Sequence, residues 1–127
     1  MSDKKTILIC EDEIPMLETL ANKFRNEGFE VIEARNGEEG FKLALSKKPD
    51  LMLLDIVMPK LDGLSLMKKI RDNKWGSDVP IVLLTNLSDA EKVSEAAKYG
   101  VYDFLVKTDW RLDDIVALVR EKLDLNF

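Results

Sequence analysis

The residues of this 127-residue chain that could do chemistry are few, and most fall directly after short apolar runs. Glu11-Asp12-Glu13 follows Thr6–Cys10, and Asp55 follows Leu51–Leu54. Thr85-Asn86 follows Val79–Leu84, and Lys107 follows Val101–Val106. If those runs are parallel strands of one sheet, Glu11, Asp12 and Asp55 share one edge with a hydroxyl and an ammonium. Crowded carboxylates repel one another, and a hard divalent cation relieves the repulsion. Oxygen ligands without His or Cys select Mg²⁺, with Mn²⁺ also compatible, over zinc. An aspartate nucleophile, Mg²⁺, a hydroxyl and a lysine together suit phosphoryl transfer. The metal and Lys107 would neutralise phosphoryl oxygens, and Thr85 would hydrogen-bond one of them.

Composition removes other chemistries. The chain has no His, so imidazole general-base catalysis and His metal ligation are excluded. Its single Cys can form neither an internal disulfide nor a Cys-rich metal site. The net charge of −5, with neither half of the chain basic, argues against direct nucleic-acid binding. The apolar run Ile7–Cys10 is too short for a signal peptide, and nothing approaches the roughly 20 apolar residues of a membrane span. A cytoplasmic protein with no membrane contact is expected.

The elements that must position these groups alternate along the chain. Thr6–Cys10 reads as a strand and Ile14–Glu27 as a helix, with Ile14, Leu17, Leu20, Ala21 and Phe24 on one face. Pro15 suits the first helical turn, and Gly28 can end the helix in the left-handed conformation. Phe29–Ala34 is the second strand. Asn36-Gly37 marks a turn before a helix over Gly37–Ser46, with Phe41, Ala44 and Leu45 to one side. Leu51–Leu54 is continuously apolar, as a central strand covered on both faces must be. Asp62 is placed to cap a helix over Gly63–Asn73. Val79–Leu84, Asp89–Tyr99, Val101–Val106 and Arg111–Leu123 complete the series, with Thr108 or Asp109 as candidate caps of the last helix. Five β-then-α units with short connections predict one domain over residues 1–127. It is an α/β fold: a doubly wound, five-stranded parallel sheet with helices on both faces. In such sheets functional groups collect at the carboxyl ends of the strands, near the topological switch point.

The motifs carry a family resemblance. They are Glu11-Asp12, the run Leu53-Leu54-Asp55-Ile56-Val57-Met58-Pro59-Lys60-Leu61-Asp62-Gly63, Leu83-Leu84-Thr85, and Phe104-Leu105-Val106-Lys107. With these in order, the chain resembles the receiver domain of bacterial two-component response regulators over essentially its whole length. The resemblance implies a (βα)5 flavodoxin-like fold. It implies that Asp55 accepts a phosphoryl group from a histidine of a sensor kinase or a histidine phosphotransfer protein. Asp12 would ligate Mg²⁺ directly, Glu11 through water, and the backbone carbonyl of Val57 would be a further ligand. Lys107 would bind a phosphoryl oxygen. Thr85 would move toward the phosphate and Phe104 would swing inward with it. This would switch the surface of the fourth helix, fifth strand and fifth helix for an output protein or a homodimer. With no residues left for an output domain, a stand-alone switch is expected.

Three positions depart from the commonest pattern. Thr108 replaces a proline that usually follows the lysine, so a trans bond is expected there. Asn86 follows Thr85 where Ala or Gly is frequent, and the acidic pair is Glu-Asp. Val57 and Leu87 stand where polar groups in relatives position hydrolytic water, so slow self-dephosphorylation is expected. Taken singly, the acids are also helix-start residues, Asp62-Gly63 a cap, Lys107 a surface lysine and Phe104 core. Cys10 reads as buried, inert core. Three other readings compete. An interaction module working without phosphate is one. An aspartate-nucleophile phosphatase is another, but it would want a second acid in Asp55-Ile56-Val57. A nucleotide site would want a Gly-rich loop after the first strand.

Overall fold

The computed structural model describes residues 4–86, 90–107 and 111–123. The strands are β1 (Thr6–Cys10), β2 (Glu30–Ala34), β3 (Leu51–Asp55), β4 (Ile81–Thr85) and β5 (Asp103–Val106). The helices are α1 (Ile14–Asn26), α2 (Gly37–Lys47), α3 (Gly63–Asp72), α4 (Ala90–Ala96) and α5 (Leu112–Lys122). All strand pairs are parallel, in the order β2-β1-β3-β4-β5. The chain winds outward from β1 to β2, then returns past β1 to β3. The switch point therefore lies between β1 and β3.

Strict alternation divides the three central strands between two cores. Ile7, Ile9, Leu51, Leu53, Val82 and Leu84 pack beneath α1 and α5, against Leu17, Leu20, Ala21, Phe24, Ile115, Val116 and Val119. Leu8, Cys10, Met52, Leu54, Ile81 and Leu83 pack on the other face, against Ala44, Leu66, Met67, Ile70 and Ala96. This is why Leu51–Leu54 carries no polar position: each of its residues is covered by one helical layer or the other.

The ends of elements mostly follow the local signals. Pro15 lies in the first turn of α1, and Gly28 follows that helix at φ +96°. Asn36 caps α2, its side-chain oxygen accepting from the Glu39 N–H at 2.9 Å. Asp62 caps α3 by accepting from Ser65 N–H at 2.9 Å. The inward line of α2 is Gly37, Gly40 and Ala44, with Phe41 at its margin, so Leu45 is not part of that face. Small residues are needed there because a Cβ at Gly40 would press on Cys10 Sγ at 2.8 Å. The fourth helix is α-helical only to Ala96; Ala97–Tyr99 tightens into a 3-10 turn before Gly100 at φ +75°. For the last helix the proposed caps Thr108 and Asp109 are superseded. Arg111 occupies the N-cap position, and Asp114 reaches back to accept from its backbone N–H at 3.2 Å. Thr108, with the bond that precedes it, and Leu87 and Asp89 lie outside the described residues. Among the described residues, no helix is long and apolar enough to cross a membrane.

Candidate functional site

Register places the acids. Cys10 pairs with Leu54, and the Glu11 N–H continues the ladder to Ala34 O at 3.0 Å. Glu11 therefore leaves β1 beside Asp55 at the end of β3, astride the switch point. Asp55 pairs with Leu84 and Thr85 with Val106, and the Lys107 N–H bonds Thr85 O at 2.6 Å. Four of the five strands, β1, β3, β4 and β5, thus deliver a polar residue within one step of the same edge. The turn after β3 is held close: Gly63 N–H bonds Ile56 O at 2.8 Å. A Cβ at Gly63 would overlap the Asp55 carbonyl oxygen, so only glycine lets α3 begin there.

Glu11, Asp12 and Asp55 offer one carboxylate oxygen each within 4.8 Å of one another. Glu11 and Asp55 are buried, whereas Asp12 is exposed. Lys107 Nζ donates to Asp55 Oδ2 at 2.8 Å and lies 3.3 Å from Glu11 Oε2. It also reaches Glu13 Oε1 at 3.4 Å. Asp55 Oδ1 accepts from the Val57 backbone N–H at 3.2 Å. Glu11 Oε2 is buried, and although it sits near the ammonium it has no hydrogen bond of good geometry. Burial, then the adjacent Asp55 charge, push the Glu11 carboxyl up to about 8, despite the opposing pull of Lys107. Lys107 is raised as well: burial works to lower it, but the Asp55 and Glu11 carboxylates outweigh burial.

One ammonium therefore serves several crowded carboxylates, and one buried carboxylate oxygen lacks a proper donor. That donor set fits a hard divalent cation of the Mg²⁺ class, which takes one or two carboxylates and keeps several waters. Thr85 is buried at the end of β4 and also lines a cavity of about 360 Å³ with Ala90, Val93, Ser94, Phe104 and Val106. Phe104 is 45% exposed on that rim, and Val57 is 48% exposed beside Asp55. The structure thus brings Glu11, Asp12, Asp55 and Lys107 together and joins Thr85 to Phe104 through the cavity. Cys10 is buried, its Sγ donating to Asn36 O at 3.2 Å. Burial, with the nearby acids, pushes its thiol up to about 12, which leaves it inert. Sequence reasoning gave no role to Glu13, the third acid on Lys107. Its signal lay in the acidic triplet, but nothing local points its side chain at residue 107.

Comparison with known proteins agrees with this arrangement. The family model of the response regulator receiver domain matches residues 7–120. The phosphate regulon transcriptional regulatory protein PhoB of Pseudomonas aeruginosa is 32% identical over 103 residues, which cover 81% of this chain and 45% of PhoB. The regulatory protein AtoC of Escherichia coli is 33% identical over 119 residues, covering 94% of this chain and 25% of AtoC. The chain thus spans less than half the length of either relative. Among solved structures, the receiver domain of Francisella response regulator 1452 superposes with a TM-score of 0.85 at 26% identity, covering 95% of this chain and 98% of that one. The receiver domain of a signal transduction histidine kinase from Syntrophus aciditrophicus gives 0.85 at 29% identity, covering 94% and 90%. This chain belongs to the response regulator receiver domains of two-component systems, signalling switches whose phosphoacceptor role and acidic Mg²⁺ pocket are general to the family.

Proposed function

We propose that Asp55 of this chain takes a phosphoryl group from a phosphohistidine on a separate kinase or phosphotransfer protein, and that residues 1–127 act as one switching unit. The observation that carries the reading is the pairing of Asp55 with Lys107 at 2.8 Å inside the cluster of Glu11, Asp12 and Asp55. A carboxylate oxygen of Asp55 forms the new O–P bond as the donor P–N bond breaks. The departing electron pair stays on the imidazole nitrogen, which takes up a proton. Because this chain contains no His, the donor imidazole must come from outside it. Lys107 turns from the Asp55 carboxylate to a phosphoryl oxygen, and the Thr85 hydroxyl donates to another. Asp12, Asp55, the Val57 carbonyl and, through water, Glu11 would hold Mg²⁺. When bound, the ion supplies charge neutralisation for the crowded carboxylates and the phosphoryl oxygens.

Output follows from Thr85. Drawing its hydroxyl toward the phosphate opens space on the cavity side, into which Phe104 can turn from its exposed position. That alters the face formed by α4, β5 and α5, where Tyr102 is also 71% exposed. An output protein, or a second copy of this chain, reads that face. No contact with nucleic acid or membrane is required, and the reading suits the cytoplasm. Incubation with Mg²⁺ and a small phosphodonor, followed by intact mass, tests the proposal. One base-labile phosphate should appear on the wild type and be missing from Asp55→Asn. An adduct that persists in that variant would refute it. The adduct should also decay slowly, since Val57 cannot position a hydrolytic water. Val57→Asn should shorten its lifetime severalfold in a mass time course.

A further inference from the structure

Glu13 stands apart from the other acids of the edge. It occupies the N-cap position of α1, where a short polar side chain normally accepts from its own helix, but it makes no side-chain cap. Its backbone still serves the turn: its N–H donates to Glu11 Oε1 at 3.2 Å, and its carbonyl accepts from Leu17 N–H at 2.9 Å. The side chain instead reaches a residue 94 positions away, placing Oε1 at 3.4 Å from Lys107 Nζ. Asp55 and Glu11 grip that ammonium from the buried side, and Glu13, 62% exposed, meets it from the solvent side. An incoming phosphoryl group must reach Asp55 from solvent, and the ammonium it needs there is already shared with this exposed carboxylate. With Mg²⁺ bound and all four acids ionised, the charges of Glu11, Asp12, Glu13, Asp55, Lys107 and the metal sum to −1. Removing the Glu13 charge brings the sum to zero.

We propose that Glu13 is a specificity-determining residue that discriminates among phosphodonors by their charge, through its position on the solvent side of Lys107. It opposes dianionic donors and shares the lysine that they need. Donors presented with fewer negative charges, or with compensating cations as on a docked protein, are admitted at less cost. The inference rests on the proposed role of Asp55. Because Glu13 does not cap α1, its replacement leaves the helix start intact.

The test compares wild type, Glu13→Gln and Glu13→Ala with Mg²⁺ present. Rate constants for adduct formation are measured with acetyl phosphate, a dianion at neutral pH, and with phosphoramidate, which carries a single net negative charge. Both variants should accelerate the acetyl phosphate reaction by roughly threefold or more at about 20 mM salt and much less at about 500 mM, where the Debye length is only a few ångströms. The phosphoramidate rate should rise less, so the ratio of the two rates shifts. Equal acceleration with both donors, an acceleration that ignores salt, or a slowing in either variant would overturn the proposal. Wild-type rates in both variants would do the same while leaving the Asp55 reading intact. No adduct on the wild type with either donor would remove that reading and this inference together.

Discussion

The two edges of the sheet handle charge in opposite ways. At the carboxyl edge Lys107 faces Glu11, Glu13 and Asp55, and a buried oxygen of Glu11 lacks a properly aligned donor. At the amino edge Arg71 of α3 donates to three backbone carbonyls: Tyr99 at 2.9 Å, and Gly76 and Val79 at 2.8 Å each. Those carbonyls belong to the segments that lead into β4 and β5, so one guanidinium ties three pieces of chain together. Asp50 does similar work there, its carboxylate accepting from Thr6 N–H at 2.8 Å where β1 begins. At the amino edge, Arg71 and Asp50 are both satisfied by backbone groups of the chain. The carboxyl edge crowds several carboxylates around one ammonium. Electrostatic tension is concentrated where chemistry is proposed, as expected if the site gives up some stability for function.

The sharpest break between the edges should come from paired substitutions. Asp55→Asn should abolish the phosphoryl adduct, yet keep the unfolding free energy within about 1 kcal/mol of wild type in urea. The asparagine side-chain oxygen can still accept from Lys107 Nζ, so the substitution keeps the packing and one of the hydrogen bonds of the site. Arg71→Ala should do the reverse. Leaving its three carbonyl acceptors to water should cost about 2 kcal/mol in the same urea experiment, while the adduct still forms at the wild-type rate. If Asp55→Asn destabilised as much as Arg71→Ala, the distinction between the edges would be lost.

A smaller effect should appear with pH. Glu11 holds its proton more tightly when folded, at about 8, than its ordinary 4.5. Its contribution to stability is therefore complete below about 4.5 and is lost as pH rises through about 8. Thermal melts of metal-free protein should show this decline across that window, and millimolar Mg²⁺ should flatten it. A Glu11→Gln variant should show the flattened profile without metal.

The smallest expected effect concerns two lysines held at positive φ, one near each edge. Lys60, at φ +67°, is the middle residue of a tight turn in which Leu61 N–H bonds Pro59 O at 2.7 Å. Lys48, at φ +48°, closes α2. Glycine at either place should raise stability by about 0.5 kcal/mol in chemical denaturation. Only Lys60→Gly should also change the rate of adduct formation, because only that turn follows Asp55.

Much of the fold was legible because its signals are local. Runs such as Leu51–Leu54 declare a strand covered on both faces, and Asp62-Gly63 declares a helix start. Boundaries slipped where local preference met tertiary demand. The last turn of the fourth helix tightened at Ala97–Tyr99, and the inward face of α2 turned to Gly40 because Cys10 lies beneath it. The cap of α5 was misplaced because the donor and acceptor roles reversed: Asp114 reaches back to Arg111.

For the site, the sequence by itself determined which groups leave the strand ends, that they are oxygen ligands with one ammonium, and that any donor histidine must lie outside these 127 residues. Those facts depend on residue type and on spacing within single elements. Only the tertiary structure decided that Glu13 shares Lys107, that Arg71 pins the amino edge, and that Thr85 and Phe104 line one cavity. Such contacts join residues far apart in the chain. They arise from strand register and helix packing, which no local pattern encodes.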